Sequence, residues 1–172
     1  MQILLDGTPT WKLRMLLWGG YAACAGMLWW GWDLSRTYGL NPGDGGVLRP
    51  LWERLAFGGF TAFLGLGFAA SMILMTRIYV TRLMRDGKRL VIETLTALGV
   101  GARRIEVPVG AVKGGSYHHG SGPNGVDAPW ITLRVQGRRI PFMLDVKARG
   151  IDRSGLSRLL PRAVSAWTAA RG

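Results

Sequence analysis

His118 and His119 are the chain's two histidines, adjacent in a glycine-rich stretch, and paired imidazoles are a natural start for a metal or haem site. A closed metal centre needs a third and a fourth ligand. The nearest carboxylate is Asp127, and the single cysteine, Cys24, lies far off in an apolar run. The pair therefore reads as a solvated loop tip, and no metal or cofactor is expected. The spacings G-x-x-x-x-G-K-[ST], G-x-G-x-x-G after a strand, G-x-S-x-G and H-E-x-x-H are all missing. Six acidic residues follow position 77, and Asp86 and Asp127 sit in turn-like contexts, which leaves little for paired-carboxylate chemistry. The expectation is a protein that is not an enzyme and takes no small-molecule substrate.

Basic residues are the other chemically active set. The 172 residues hold 22 Lys+Arg against 10 Asp+Glu, a formal charge of +12. From Arg77 onward the chain carries +11 of it. Arg103, Arg104, Arg138 and Arg139 are candidates for binding an anionic lipid headgroup or an acidic partner, and Arg134, Lys147, Arg149, Arg153, Arg158 and Arg162 could share their surface. Each basic residue near an anionic leaflet gains about 1 kcal/mol. The plainer explanation is solubility combined with a cytoplasmic excess of positive charge. No recognition motif accompanies the charge, so nucleic acid is not an expected partner.

The elements that position these residues begin with two uncharged runs, residues 15–32 and 55–76. At 1.5 Å per helical residue they reach about 27 and 33 Å, enough for a bilayer core of about 30 Å. Two such helices without a polar face are expected to be membrane spans rather than core helices. Trp11 and Trp18 flank one end of the first run and Trp29, Trp30 and Trp32 the other, an aromatic-belt placement. No small-residue cleavage site follows, so the first run is read as an uncleaved anchor. Seven Lys/Arg on the terminal side oppose three in the connecting loop, which predicts a multi-pass bacterial inner-membrane protein with both termini cytoplasmic.

Neither run contains an Asp, Glu, Lys, Arg or His, against a transporter or proton relay. Gly19/Ala23, Ala22/Gly26, Gly58/Ala62, Gly65/Ala69 and Gly67/Ser71 are small-xxx-small pairs that allow close helix approach. They can serve the hairpin itself or a partner's helix. Gly58, Ala62, Gly65 and Ala69, with Trp18, Trp29 and Trp30, are the candidate partner-binding residues within the membrane, and a larger membrane complex is the expected partner.

After position 76 the apolar period becomes alternating. Runs around Ile78–Leu83 and Leu90–Thr94 flank Asp86-Gly87, a strong hairpin signal. Further strands are expected at 103–107, 130–135 and 140–144, with an irregular segment from Gly114 to Pro129. A C-terminal helix over 152–170, capped by Asp152 or Ser154, should bend or break at Pro161. The predicted organisation is an N-terminal segment with a two-helix transmembrane hairpin over 1–76, then a small α+β domain over 77–172. Its antiparallel, half-rolled sheet closed by a C-terminal helix has a pleckstrin-homology-like outline.

The element order, with the stretches Thr94-Leu95-Thr96-Ala97-Leu98-Gly99 and Arg104-Ile105-Glu106-Val107-Pro108-Val109, resembles the two-span mitochondrial assembly factors for respiratory complexes and bacterial membrane-anchored pleckstrin-homology-like proteins. The resemblance covers residues 13–145. It implies an accessory subunit or assembly factor of an energy-transducing membrane complex. The families bring no catalytic motif with them. The alternative is a tethered module that recognises anionic headgroups.

Overall fold

Two uncharged runs end in charged or glycine-rich sequence, and each grows into a 28-residue helix: α1 (Thr10–Thr37) and α2 (Leu51–Ile78). The computed structural model describes residues 1–7, 10–120, 128–148 and 150–170, so Asp127 and Arg149 lie outside the described residues. The chain divides into a helical unit, Met15–Leu74, and a sheet unit made of Met1–Arg14 with Met75–Gly172.

In the helical unit, Leu17, Gly20, Cys24 and Gly31 are the buried residues of α1, spaced along one stripe. The chain leaves α1 through Gly39, whose φ of +98° suits glycine and whose missing Cβ makes room for the Val47 carbonyl. The Arg49 N–H donates back to the Tyr38 carbonyl at 3.1 Å, which closes the loop. Of the two expected spans, one helix among the described residues, α2, is long and apolar enough to cross a membrane, with a mean hydropathy of 1.7 and only 11% of that stretch buried. So low a burial separates it from the core helix of a soluble domain. α1 falls short despite its uncharged run, because Trp18, Tyr21, Trp29, Trp30, Trp32 and four glycines replace the aliphatic residues that dominate α2.

The sheet unit contains a five-stranded antiparallel sheet in the order β4-β3-β2-β1-β8. Its strands are β1 (Gln2–Asp6), β2 (Val80–Asp86), β3 (Arg89–Leu95), β4 (Ala102–Pro108) and β8 (Gly150–Ile151). A second sheet holds β5 (Val112–His118), β6 (Trp130–Val135) and β7 (Phe142–Asp145) in that order. The Asp86-Gly87 hairpin forms, with Gly87 at φ +56°. A bulge between Ile3 and Leu5 breaks strict alternation in β1, and both Leu4 and Leu5 are buried. Tyr79 joins the sheets through a bridge to Met143 and a 2.9 Å hydrogen bond from its hydroxyl to Asp145.

One apolar cluster gathers Leu83 and Ile92 from the first sheet, Leu133 and Phe142 from the second, and Leu156 and Trp167 from the C-terminal helices. Those helices are α3 (Arg153–Leu159) and α4 (Pro161–Ala169), split as expected at Leu160-Pro161 because the residue before proline is driven out of helical geometry. The α+β class with antiparallel sheets is as expected, but the single half-rolled sheet closed by one helix is replaced by two sheets, and β1, from ahead of the helices, completes the larger one. The segment from Gly114 also differs from the expected loop. It continues β5 to His118, because Gly115 lets the backbone approach Thr132, where a Cβ would collide with the carbonyl oxygen.

Asp152 caps α3. Its carboxylate accepts from the Gly155 N–H at 2.9 Å, the Ser154 hydroxyl at 2.7 Å and the Gln2 amide at 2.6 Å. These bonds, the Gly155 one foremost, hold it below its ordinary value of 3.8. A depressed carboxylate contributes stability that is full above the ordinary value and is lost as pH falls through the folded one. Asp152→Asn is therefore expected to melt below the wild type at about pH 5, with the gap narrowing toward about pH 2.5. Thermal melts at both pH values check this, and a gap independent of pH would contradict it.

Candidate functional site

The helix pair offers two faces. A Cβ on Gly31 would lie 2.6 Å from the Gly58 carbonyl oxygen and 3.1 Å from the Ala62 nitrogen, and one on Gly58 would strike the Gly31 carbonyl. A Cβ on Gly65 would lie 3.0 Å from Met27 Cβ, and one on Gly20 would sit 2.7 Å from Met72 Cγ. Tyr38 and Phe57 continue the contact with ring centroids 4.9 Å apart. Gly58, Ala62 and Gly65, expected to meet a partner, thus face α1 instead, because close backbone approach within the pair consumes them.

The other small residues face outward. Gly19, Gly26, Gly59 and Gly67 have nothing within 4 Å of where a Cβ would stand. Ala69 is half-buried. Trp18, Trp29 and Trp30 are exposed, Trp29 at 72%, and so are Phe60 and Phe63. Thr61 and Ser71 donate their hydroxyls to the Phe57 and Gly67 carbonyls, both at 2.9 Å, so their polarity is absorbed within α2. An apolar face of this extent on a soluble monomer would be unusual. Sequence reading passed over Gly20 and Gly31. The stripe Gly20, Cys24, Gly31 was available, had Cys24 been counted as small.

The basic candidates do not form one patch. Arg104, on β4, donates to Glu93 at 3.2 Å across the β3–β4 ladder, and the neighbouring Arg89 meets Glu106 at 3.3 Å. Arg103, one residue from Arg104, emerges on the opposite side of the pleat. Its charge acts on Arg138, in the turn after β6, and so does that of Arg77, at the end of α2. Arg138 lies over the Phe142 ring with its guanidinium carbon 3.9 Å from the centroid, and donates to the Arg77 carbonyl at 3.5 Å. Burial first, then the charges of Arg103 and Arg77, hold Arg138 below its ordinary guanidinium value. Among the described residues no carboxylate pairs with any of the three. Three uncompensated guanidiniums attract an anion or an acidic surface. Arg77 was counted in the sequence only for orientation. Arg139 is exposed beside Arg138.

His118 stacks on Trp130, ring centroids 5.3 Å apart and 17° from parallel. Among the described residues no group of three His, Cys, Asp or Glu side chains gathers where a metal could sit.

Residues 48–150, from just before α2 to the start of β8, match the family model described as TMEM70/TMEM186/TMEM223 protein family. No curated protein and no solved structure matches the chain, and the pleckstrin-homology likeness finds no support in these comparisons.

Proposed function

Because the chain belongs to the TMEM70/TMEM186/TMEM223 protein family, we propose that it is a non-enzymatic membrane accessory subunit or assembly factor that docks a larger energy-transducing complex through its helix pair. The family is linked to the assembly of such complexes. The observation that carries the docking mode is that Gly19, Gly26, Gly59 and Gly67 each stand open on the outside of the pair, which also carries exposed aromatics. The inner face is already filled, so these positions suit a helix of another chain.

Membrane insertion of the pair is supported by strand order. β1 precedes α1 and β2 follows α2, yet β1 and β2 pair directly, Gln2 opposite Arg85. The start of α1 and the end of α2 must then lie on one side of any bilayer that α2 crosses. α1 therefore returns through the membrane against α2, and the contacts of Gly31 with Gly58 and Ala62 replace the apolarity it lacks alone. The charge count puts that side in the cytoplasm or its organellar equivalent.

Gly59→Leu with Gly67→Leu is expected to leave the pair folded and to cut co-isolation of the complex about tenfold, the effect of losing about 1.4 kcal/mol. Purification in mild detergent followed by mass spectrometry reads it. A wild-type chain recovered as a lone monomer or homodimer would count against docking altogether.

A second reading, recognition of an anionic headgroup, is favoured by the cluster of Arg77, Arg103 and Arg138. It predicts slower amide exchange over 102–107 in nanodiscs containing phosphatidylserine than in phosphatidylcholine alone. Equal exchange in both would remove it.

A further inference from the structure

Lys113, Arg134 and Arg162 converge on a groove of about 370 Å³ between β5 and the α3–α4 junction. Each is placed by its backbone. Lys113 is the extra residue where the β5–β6 register shifts between Val112 and Gly114. Arg134 stands opposite Gly114 across the ladder, and Arg162 lies in the first turn of α4.

Glycine keeps the groove open. Gly114 has φ +115° and nothing within 4 Å of where a Cβ would be, so the floor there is bare backbone. A Cβ on Gly115 would strike the Thr132 carbonyl and come within 3.3 Å of Leu160 Cδ2, so that wall is set by close approach. Pro161 opens α4 with no side-chain cap, which leaves the helix's positive end on the same rim.

On the larger sheet three basic residues meet acids: Arg82 pairs with Asp6, Arg89 with Glu106 and Arg104 with Glu93. Here, among the described residues, no carboxylate lines the groove and none of the three cations has an ion-pair partner. Three like charges around one hollow repel one another unless something neutralises them.

We propose that this groove binds a phosphate-bearing ligand, a phosphomonoester carried by a small molecule or by a lipid headgroup. A phosphomonoester brings a charge of about −1.5 to −2 and three acceptor oxygens, which matches two guanidiniums and an ammonium. A single carboxylate would leave most of the positive charge uncompensated. A groove of about 370 Å³ lies within the roughly 300–1,000 Å³ usual for small-ligand sites, so it has room for the group that carries the phosphate. The inference depends neither on the helix-pair docking nor on the cluster around Arg138.

Lys113 is itself the reporter. The full chain is reconstituted in phosphatidylcholine nanodiscs, and the acylation rate of Lys113 is compared by mass spectrometry with that of Lys88, which lies in the β2–β3 turn. One arm adds inorganic pyrophosphate, with potassium sulfate at equal ionic strength as control. The other replaces part of the phosphatidylcholine with phosphatidate, or with phosphatidylserine at equal total charge. Near saturation, Lys113 is expected to react about tenfold more slowly while Lys88 is unchanged. Protection by pyrophosphate assigns a soluble ligand, and protection by phosphatidate beyond phosphatidylserine assigns a headgroup. Arg134→Gln with Arg162→Gln should abolish the protection while the full chain keeps the wild-type circular dichroism spectrum, which shows that the strands remain folded. Protection in neither arm, equal protection of Lys88, equal protection by sulfate, or protection that survives the double substitution would each overturn the proposal.

Discussion

Gly58→Leu is expected to drive α1 and α2 apart, whereas Gly59→Leu, one residue along, leaves them together. Even a methyl at Gly58 would meet the Gly31 carbonyl oxygen and approach Ser35 within 3.1 Å, and backbone cannot yield as a flexible side chain can. Overpacking costs about 1–3 kcal/mol in a core that can adjust, and this contact belongs at the upper end or beyond. In lipid the loss is compounded, because close backbone contact is what holds such helices together. At Gly59 the added side chain enters open space. The pair of variants is compared by SDS-induced unfolding of the full chain, followed through its tryptophans. A Gly58→Leu protein as resistant as the wild type would show that the helices do not meet at Gly31. Loss of complex binding with Gly59→Leu alone would then separate partner docking from hairpin packing.

Leu4→Ala with Leu5→Ala is expected to unfold the sheet unit. Both side chains are almost wholly buried, and Leu4 reaches the backbone of α3 beside Gly155. A buried leucine cut to alanine costs about 2–5 kcal/mol. Two of them approach the whole stability of a small domain, about 5–15 kcal/mol. The ladder adds to the damage. β1 separates β2 from β8, and the Leu4 carbonyl accepts from the Asp152 N–H at 3.0 Å, so loosening β1 also frees the cap of α3. Pulse proteolysis of the double variant in detergent reads the change. Survival at the wild-type urea midpoint would mean that the first seven residues are dispensable to the fold.

Much of the architecture was legible because its signals are local. The Asp86-Gly87 hairpin, the strand at 130–135 and the helix break at Pro161 each depend on a few adjacent residues. β1 was not, since Gln2–Asp6 is short, and its bulge places Leu4 and Leu5 side by side in the core, where alternation would have separated them. Its partners are also remote in sequence, and no local pattern reports a pairing between residues 2 and 85. Charge-free length picked out α2, which is long and apolar enough to cross a membrane, yet the same criterion gave α1 equal weight, because absence of charge does not distinguish tryptophan and glycine from leucine.

The candidate site was legible in kind and less so in detail. Small residues and arginines make up the two proposed interaction faces, but which side of a helix or pleat each occupies depends on rotation and register. That is why Gly58 turned inward while Gly59 stayed open, and why Arg104 met Glu93 while Arg103 joined Arg77 and Arg138. The groove at Lys113, Arg134 and Arg162 had no signature in the sequence, since strand pairing and a helix start bring together residues far apart in the chain.

The central position of β1 also sets a timetable. One of its two neighbours, β8, is synthesised about 145 residues after it. At about 5–20 residues per second that interval lasts on the order of ten seconds. Throughout it the edge of β1 that β8 will take stays bare, so the nascent chain needs shelter until β8 has emerged. The domain's largest sheet is thus a late checkpoint in biogenesis, and it closes only on chains whose β1 is still free to receive β8.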